Sequence, residues 1–268
     1  MIELAPYHKI GLPLSNPVMI ASGCGGYGQA YRQLIDLSVF GALVTNPITL
    51  RPQRGIAQSR LAETTAGFVL DTGHQNPGVK KVIREYSKHW LGLSVPVIAH
   101  LPADEPDNLR RTARALAGTD AIVGIELGIP PLATPRDIAA WIEAVREGCM
   151  LPLMVKLPLD TAVEMAEIAA EAAADALVIG SPPLGSAQVS GGERVNGYLY
   201  GPALHSLALY AVRSICEFVD TPIVATGGIH VLADAQAFLE AGAVAVQIDS
   251  LLFIEPKQAV EIALAVST

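Results

Sequence analysis

Residues 223–248 read IVATGGIHVLADAQAFLEAGAVAVQI. An apolar run, IVATG (223–227), is followed by a helical pattern over 231–240 and a second apolar run, VAVQI (244–248). Short runs that are apolar on both faces suit strands buried from both sides, and a helix between two of them makes a βαβ unit. Outward from this stretch, the same alternation fills the chain. The other runs are VMIAS (18–22), ALVT (42–45), PVIAH (96–100), AIVGIEL (121–127), LMVKL (153–157) and ALVIG (176–180). Helical patterns cover 29–38, 78–90, 105–117, 135–147, 161–173 and 202–218, with 256–266 after the last run. Thr134-Pro135 and Glu255-Pro256 place Pro where a first helical turn accepts it. Eight strand–helix units predict an α/β fold, a (β/α)8 TIM barrel forming one domain over 1–268. An open doubly wound sheet of eight strands is the structural alternative.

The bulk properties agree with this. The chain has 268 residues, against ~250 for a typical barrel. Hydrophobic residues make up 51% and charged residues 16%, which excludes a disordered chain. Eighteen Lys and Arg against 26 Asp and Glu give a net charge of −8, and no basic run exceeds two residues. Nucleic acid and anionic membranes are therefore not expected partners. Cys24, Cys149 and Cys216 show no C-x-x-C spacing, so neither a disulfide framework nor a zinc site is expected. The start lacks a signal-peptide pattern, and no unbroken stretch of about 18 apolar residues is present. A cytoplasmic location is the expectation. Two connections, 46–77 and 181–200, are too long for turns and follow strands, so in a barrel they lie at the C-terminal mouth where active sites sit.

Several stretches resemble the dihydroorotate dehydrogenases, especially their soluble class 1 branch. They are Asn16-Pro17-Val18-Met19-Ile20-Ala21-Ser22-Gly23 with Gly26-Tyr27-Gly28, then Val44-Thr45 with Ile48-Thr49-Leu50-Arg51-Pro52. Glu63-Thr64, Gly73-His74-Gln75-Asn76-Pro77-Gly78 and Val155-Lys156-Leu157 follow. Gly201-Pro202-Ala203, Gly227-Gly228-Ile229 and Ala241-Gly242-Ala243-Val244-Ala245-Val246-Gln247 complete the set in the family's order.

The resemblance implies an FMN-dependent oxidoreductase acting on CH–CH groups, of the kind found in pyrimidine biosynthesis. It implies a soluble chain, a homodimer in many relatives, and in some an electron-transfer subunit carrying iron–sulfur and FAD. The membrane-bound class carries an N-terminal helical extension that has no counterpart here. By the same resemblance, Ala21, Ser22 and Gly23 let the backbone approach the flavin ring. Thr45 offers a hydroxyl to the ring's polar edge, with Asn46 beside it. Lys156, a charge inside an apolar strand that is expensive unless paired, contacts the ring's pyrimidine edge; the alternative is an ammonium reaching solvent past the rim. Gly201, Gly227, Gly228 and Ser250 cradle the phosphate, as loops after strands 7 and 8 commonly do; glycines here are otherwise turn residues.

Departures from the family concern the substrate. The family's loop after strand 4 reads Asn-x-Ser-Cys-Pro-Asn or carries Ser for Cys, and that Cys or Ser is the base. Here the segment is Glu126-Leu127-Gly128-Ile129-Pro130-Pro131-Leu132, with Gly128 at the first Asn and Pro131 at the base. Leu70 replaces a further Asn, Gly180-Ser181 an Asn-Thr pair, and Asn46 a Lys. Unmet hydrogen bonds of a buried polar substrate cost ~1–3 kcal/mol each. At the phosphate end Asp249 replaces a Gly; its carboxylate repels phosphate unless it points away or meets a cation such as Arg194.

For the missing proton transfer, His100 is the leading catalytic candidate, since it ends strand 3 where the family commonly has Asn. Cys24 is the second, with a buried inert thiol as its alternative. His74, His205 and His230 read as turn, cap or surface residues. The expectation is an FMN oxidoreductase on a substrate other than dihydroorotate. The alternatives are a flavin- or phosphate-binding barrel without turnover, and a divergent but genuine dihydroorotate dehydrogenase.

Overall fold

The computed structural model describes residues 1–57, 59–189 and 191–267, so Gln58 and Ser190, within the two long connections, and Thr268 lie outside the described residues. Eight strands close into a barrel: β1 (Val18–Ile20), β2 (Leu43–Val44), β3 (Val97–Pro102), β4 (Gly124–Gly128), β5 (Leu153–Pro158), β6 (Ala176–Ser181), β7 (Ile223–Thr226) and β8 (Ala245–Ile248). Every neighbouring pair is parallel, and β8 pairs back onto β1. The ring is closed, which rules out the open sheet.

The helices are α1 (Val79–Leu91), α2 (Pro106–Ala117), α3 (Pro135–Gly148), α4 (Ala162–Glu171), α5 (Leu204–Cys216), α6 (Leu232–Glu240), α7 (Leu251–Ile254) and α8 (Pro256–Val266). Thr134 starts α3 with a reciprocal cap, accepting from Asp137 N–H while the Asp137 carboxylate accepts from Thr134 N–H. The helix expected over 29–38 is absent. That segment runs through turns to a single 3-10 turn, Leu37–Val39. Tyr31 O accepts from both Leu34 and Ile35 N–H, and the Asp36 carboxylate takes Ser38 N–H; such local side-chain bonding competes with helix propagation.

Side chains along a strand alternate between two cores. Met19, Ala42, Val44, Ile98, Met154, Ala176, Val178, Val224 and Ala245 point inward and pack together at the floor of the barrel. Leu4, Ala5, Leu12 and Leu14, from a hairpin of Ile2–Glu3 with Pro13–Leu14, plug that floor. Val18, Ile20, Leu43, Val97, Ile125, Val155, Leu177 and Val246 point outward and meet the helices. Each fully buried aliphatic side chain contributes about 1.5–3 kcal/mol.

The two long connections meet in a four-stranded antiparallel sheet. Its order is Leu184–Gln188, Arg194–Tyr200, Gly67–Leu70 and Leu61–Thr64. No described helix is long and apolar enough to cross a membrane.

Candidate functional site

Parity decides which side chains enter the barrel mouth. Because Met19, Val44, Ile98, Met154 and Ala245 face inward, so do the residues two further along: Ala21, Asn46, His100, Lys156 and Gln247. Gly124 lies against Leu12 of the plug, so Glu126 also faces inward. Continuing β8 by two more residues turns Asp249 to the same side. These positions lie above the apolar floor, and the barrel's polar residues gather there.

Four of them are linked. His100 Nδ1 lies 2.8 Å from Glu126 Oε1, Gln247 Nε2 donates to Glu126 Oε2 at 2.6 Å, and Lys156 Nζ donates to Gln247 Oε1 at 2.9 Å. Lys156 Nζ also lies 3.9 Å from Glu126 Oε1. Burial alone would raise the Glu126 pKa, but the Lys156 charge and the hydrogen bonds from His100 and Gln247 hold it at about 2. Glu126 is therefore ionised and acceptor-only, so His100 Nδ1 carries the hydrogen of that bond. The other ring nitrogen, Nε2, is left to act. Lys156 is buried and paired, not extended to solvent.

A cavity of about 430 Å³ opens over this chain. Ala21, Ser22, Gly23, Cys24, Asn46, His100 and Lys156 all line it, as do Asp71, His74, Tyr198, Tyr200, Asp249 and Phe253. Gly23, at φ +85°, has open space where a side chain would stand. Asn46 Oδ1 is buried with no hydrogen-bond partner.

Other expected site residues are placed differently. Thr45 is fully buried and does not line the cavity. Standing between two inward positions, it points outward, and its hydroxyl accepts from His100 N–H and donates to Asn46 O. Gly201, Gly227, Gly228 and Ser250 are buried and lie outside the cavity lining. Cys24 does line it, but burial, with Asp249 nearby, pushes its thiol far up, so it stays protonated and cannot act as a base. His74 shares the cavity; burial, and then the charge of His100, push it down. His205 sits under α6, its ring against Phe238 and its Nε2 3.2 Å from Asp234 O. His230 Nε2 lies 3.1 Å from Ser250 Oγ.

Asp249 neither points away nor meets Arg194, which is exposed. Its Oδ1 accepts from Ser250 N–H and, at 3.0 Å, from Ser250 Oγ–H. Among the described residues no Lys, Arg or His comes within ion-pair distance of it.

Glu126 and Gln247 were missed as functional residues. The signal was present: a Glu and a Gln inside otherwise apolar runs, at the same parity as the floor residues Gly124 and Ala245.

The model of the family described as dihydroorotate dehydrogenase matches residues 7–267. Among curated proteins, the chain is 36% identical over 272 residues to the dihydroorotate dehydrogenase B (NAD(+)) catalytic subunit of Desulforudis audaxviator, covering 94% of this chain and 88% of that one. It is 33% identical to the protein of the same name from Bacillus pumilus, covering 92% and 85%. Among solved structures, the crystal structure of DHODH from Eimeria tenella in complex with ferulenol superposes with a TM-score of 0.77 at 18% identity, covering 94% of this chain and 79% of that one.

Proposed function

Since this chain belongs to the dihydroorotate dehydrogenase family of oxidoreductases, typically FMN-binding, we propose that it is a flavin-dependent oxidoreductase in which His100 exchanges the substrate proton. The observation that carries this reading is the linked chain His100–Glu126–Gln247–Lys156, whose two ends, His100 and Lys156, line the cavity.

Three features of the cavity suit a flat flavin ring. Small residues at Ala21–Gly23 leave a smooth floor with open space above Gly23. The orphaned Asn46 Oδ1 needs a donor, which a ring N–H would supply. The Lys156 ammonium, held by Gln247, sets a positive charge beside the ring's place. A bound flavin would supply hydride acceptance and donation.

The chain's own residues supply the rest. Glu126 fixes the His100 ring through Nδ1–H and stabilises the imidazolium that forms when Nε2 takes a proton. In substrate oxidation that proton leaves the carbon next to the one that loses hydride; in reduction it returns there. The loop after β4 offers no base, since Pro131 stands at the family's Cys or Ser position and lies outside the cavity lining. We read His100 and Gly128 as a joint exchange. A Cβ at Gly128 would stand 2.7 Å from His100 Cε1, so the ring fills room that the family's Asn side chain needs.

The relatives' names favour dihydroorotate as the substrate, oxidised by a rebuilt site. A second reading, a substrate without its carboxylate, is favoured by the lining itself. Lys156 is its one Lys or Arg among the described residues and is already bonded to Gln247, while Asp71 and Asp249 add negative charge. Anaerobic mixing of flavin-loaded protein with dihydroorotate, and separately with uncharged 5,6-dihydrouracil, decides between them. Bleaching of the visible flavin band by dihydroorotate supports the first reading, and bleaching only by dihydrouracil supports the second. Failure to take up any flavin defeats the redox assignment. Because the relatives are named as catalytic subunits, we also propose that a separate subunit takes the electrons onward.

A further inference from the structure

Just after β8 the cavity wall carries a carboxylate, that of Asp249. Barrels of this kind commonly hold phosphate on backbone N–H groups after strands 7 and 8. Here Ser250 N–H, at the end of β8, already donates to the Asp249 carboxylate, and Ser250 Oγ–H does the same at 3.0 Å. Asp249 is buried, turned inward by the alternation along β8, and forms part of the cavity wall. Tyr200 and Phe253 extend that wall, each packed on Phe68 with ring centres 5.3 and 6.0 Å away. Gly201, Gly227, Gly228 and Ser250 are not among the residues that line the cavity.

The corner also lacks positive charge. No Lys or Arg stands in 225–232 or 247–253. Burial pushes His230, the corner's imidazole, below its ordinary value, so it is neutral at neutral pH despite Asp249 and Asp234. A dianionic phosphate would meet a buried carboxylate and no counter-charge, a juxtaposition that interfaces avoid because like charges repel strongly at low dielectric.

We propose that Asp249 substitutes for the phosphate, so that this chain holds its flavin by the ring and ribityl chain and binds riboflavin at least as tightly as FMN. This rests on the flavin reading above and names the form of the cofactor. The purified chain, stripped of ligand, is titrated with riboflavin and with FMN, and quenching of flavin fluorescence gives the two dissociation constants. Riboflavin binding at least as tight as FMN is expected. In Asp249→Gly, FMN affinity rises about tenfold or more while riboflavin changes by less than about threefold. Asp249→Asn, which keeps the shape and removes the charge, shifts the same ratio toward FMN. Wild-type protein that binds FMN about tenfold tighter than riboflavin overturns this proposal and leaves the flavin reading intact. An unchanged ratio in both variants also overturns it. Protein that binds neither flavin overturns the proposal and the flavin reading together.

Discussion

Gly128→Ala tests whether the His100 ring occupies space released by a missing side chain. The position lies in β4 opposite Pro102 of β3, and its φ is not positive, so alanine meets no backbone strain. On backbone grounds alone, replacing a strand glycine gains roughly 0.5–1 kcal/mol. The new Cβ, however, would stand 2.7 Å from His100 Cε1 and 3.0 Å from Nε2. The ring cannot retreat without lengthening its 2.8 Å bond to Glu126, which is fully buried. Overpacking of this kind costs about 1–3 kcal/mol, or a melting point lower by roughly 2–12 °C for a chain of this size. In a His100→Asn background the ring atoms are gone, and the same Gly128→Ala change becomes neutral or stabilising by up to ~1 kcal/mol. A double-mutant cycle read by thermal and urea unfolding therefore shows coupling of at least about 1 kcal/mol. Additivity within about 0.5 kcal/mol would refute the joint exchange.

Glu126→Gln leaves Lys156 without its buried counter-charge and should cost about 3–5 kcal/mol, seen as a melting point lower by roughly 6–20 °C. The acid limb of stability follows from the same carboxylate. Its folded pKa of about 2 lies below the ordinary 4.5, so its contribution is complete above pH 4.5 and is lost as pH falls toward 2. Urea unfolding from pH 6 downward should lose on the order of 3 kcal/mol from this group, a loss that Glu126→Gln no longer shows. Asn46→Ala removes an unsatisfied buried oxygen, so the ligand-free protein should change by less than about 1 kcal/mol while flavin affinity falls roughly fivefold or more. The Cys24 thiol, buried and held protonated, should resist iodoacetamide in the folded protein and react on unfolding; fast alkylation of the native chain would contradict its placement.

The barrel was legible because its signals are local. Each strand is a short apolar run, and three helices carry Pro in their first turn, such as Pro135 or Pro256. The segment 29–38 misled because its apolar spacing is helical while its hydrogen bonds go to Tyr31 O and the Asp36 carboxylate. The sheet over the mouth was not legible, because Gly67–Leu70 finds its partner at Arg194–Tyr200, far along the chain. At the site, parity from the floor residues would have sent Thr45 outward and brought Glu126 and Gln247 inward. Which donor the Asp249 carboxylate captures is set by local geometry, and a linear sequence does not show it.

The central claim is that a flavin ring lies on Ala21–Gly23 beside Lys156, with the His100 imidazole facing the substrate's place. A crystal structure of the protein grown with flavin tests it most directly. The account predicts ring density over Gly23, with an edge of the ring in hydrogen-bond reach of Lys156 Nζ and Asn46 Oδ1. Flavin bound elsewhere, with the cavity empty and Lys156 held by Gln247 alone, would contradict it.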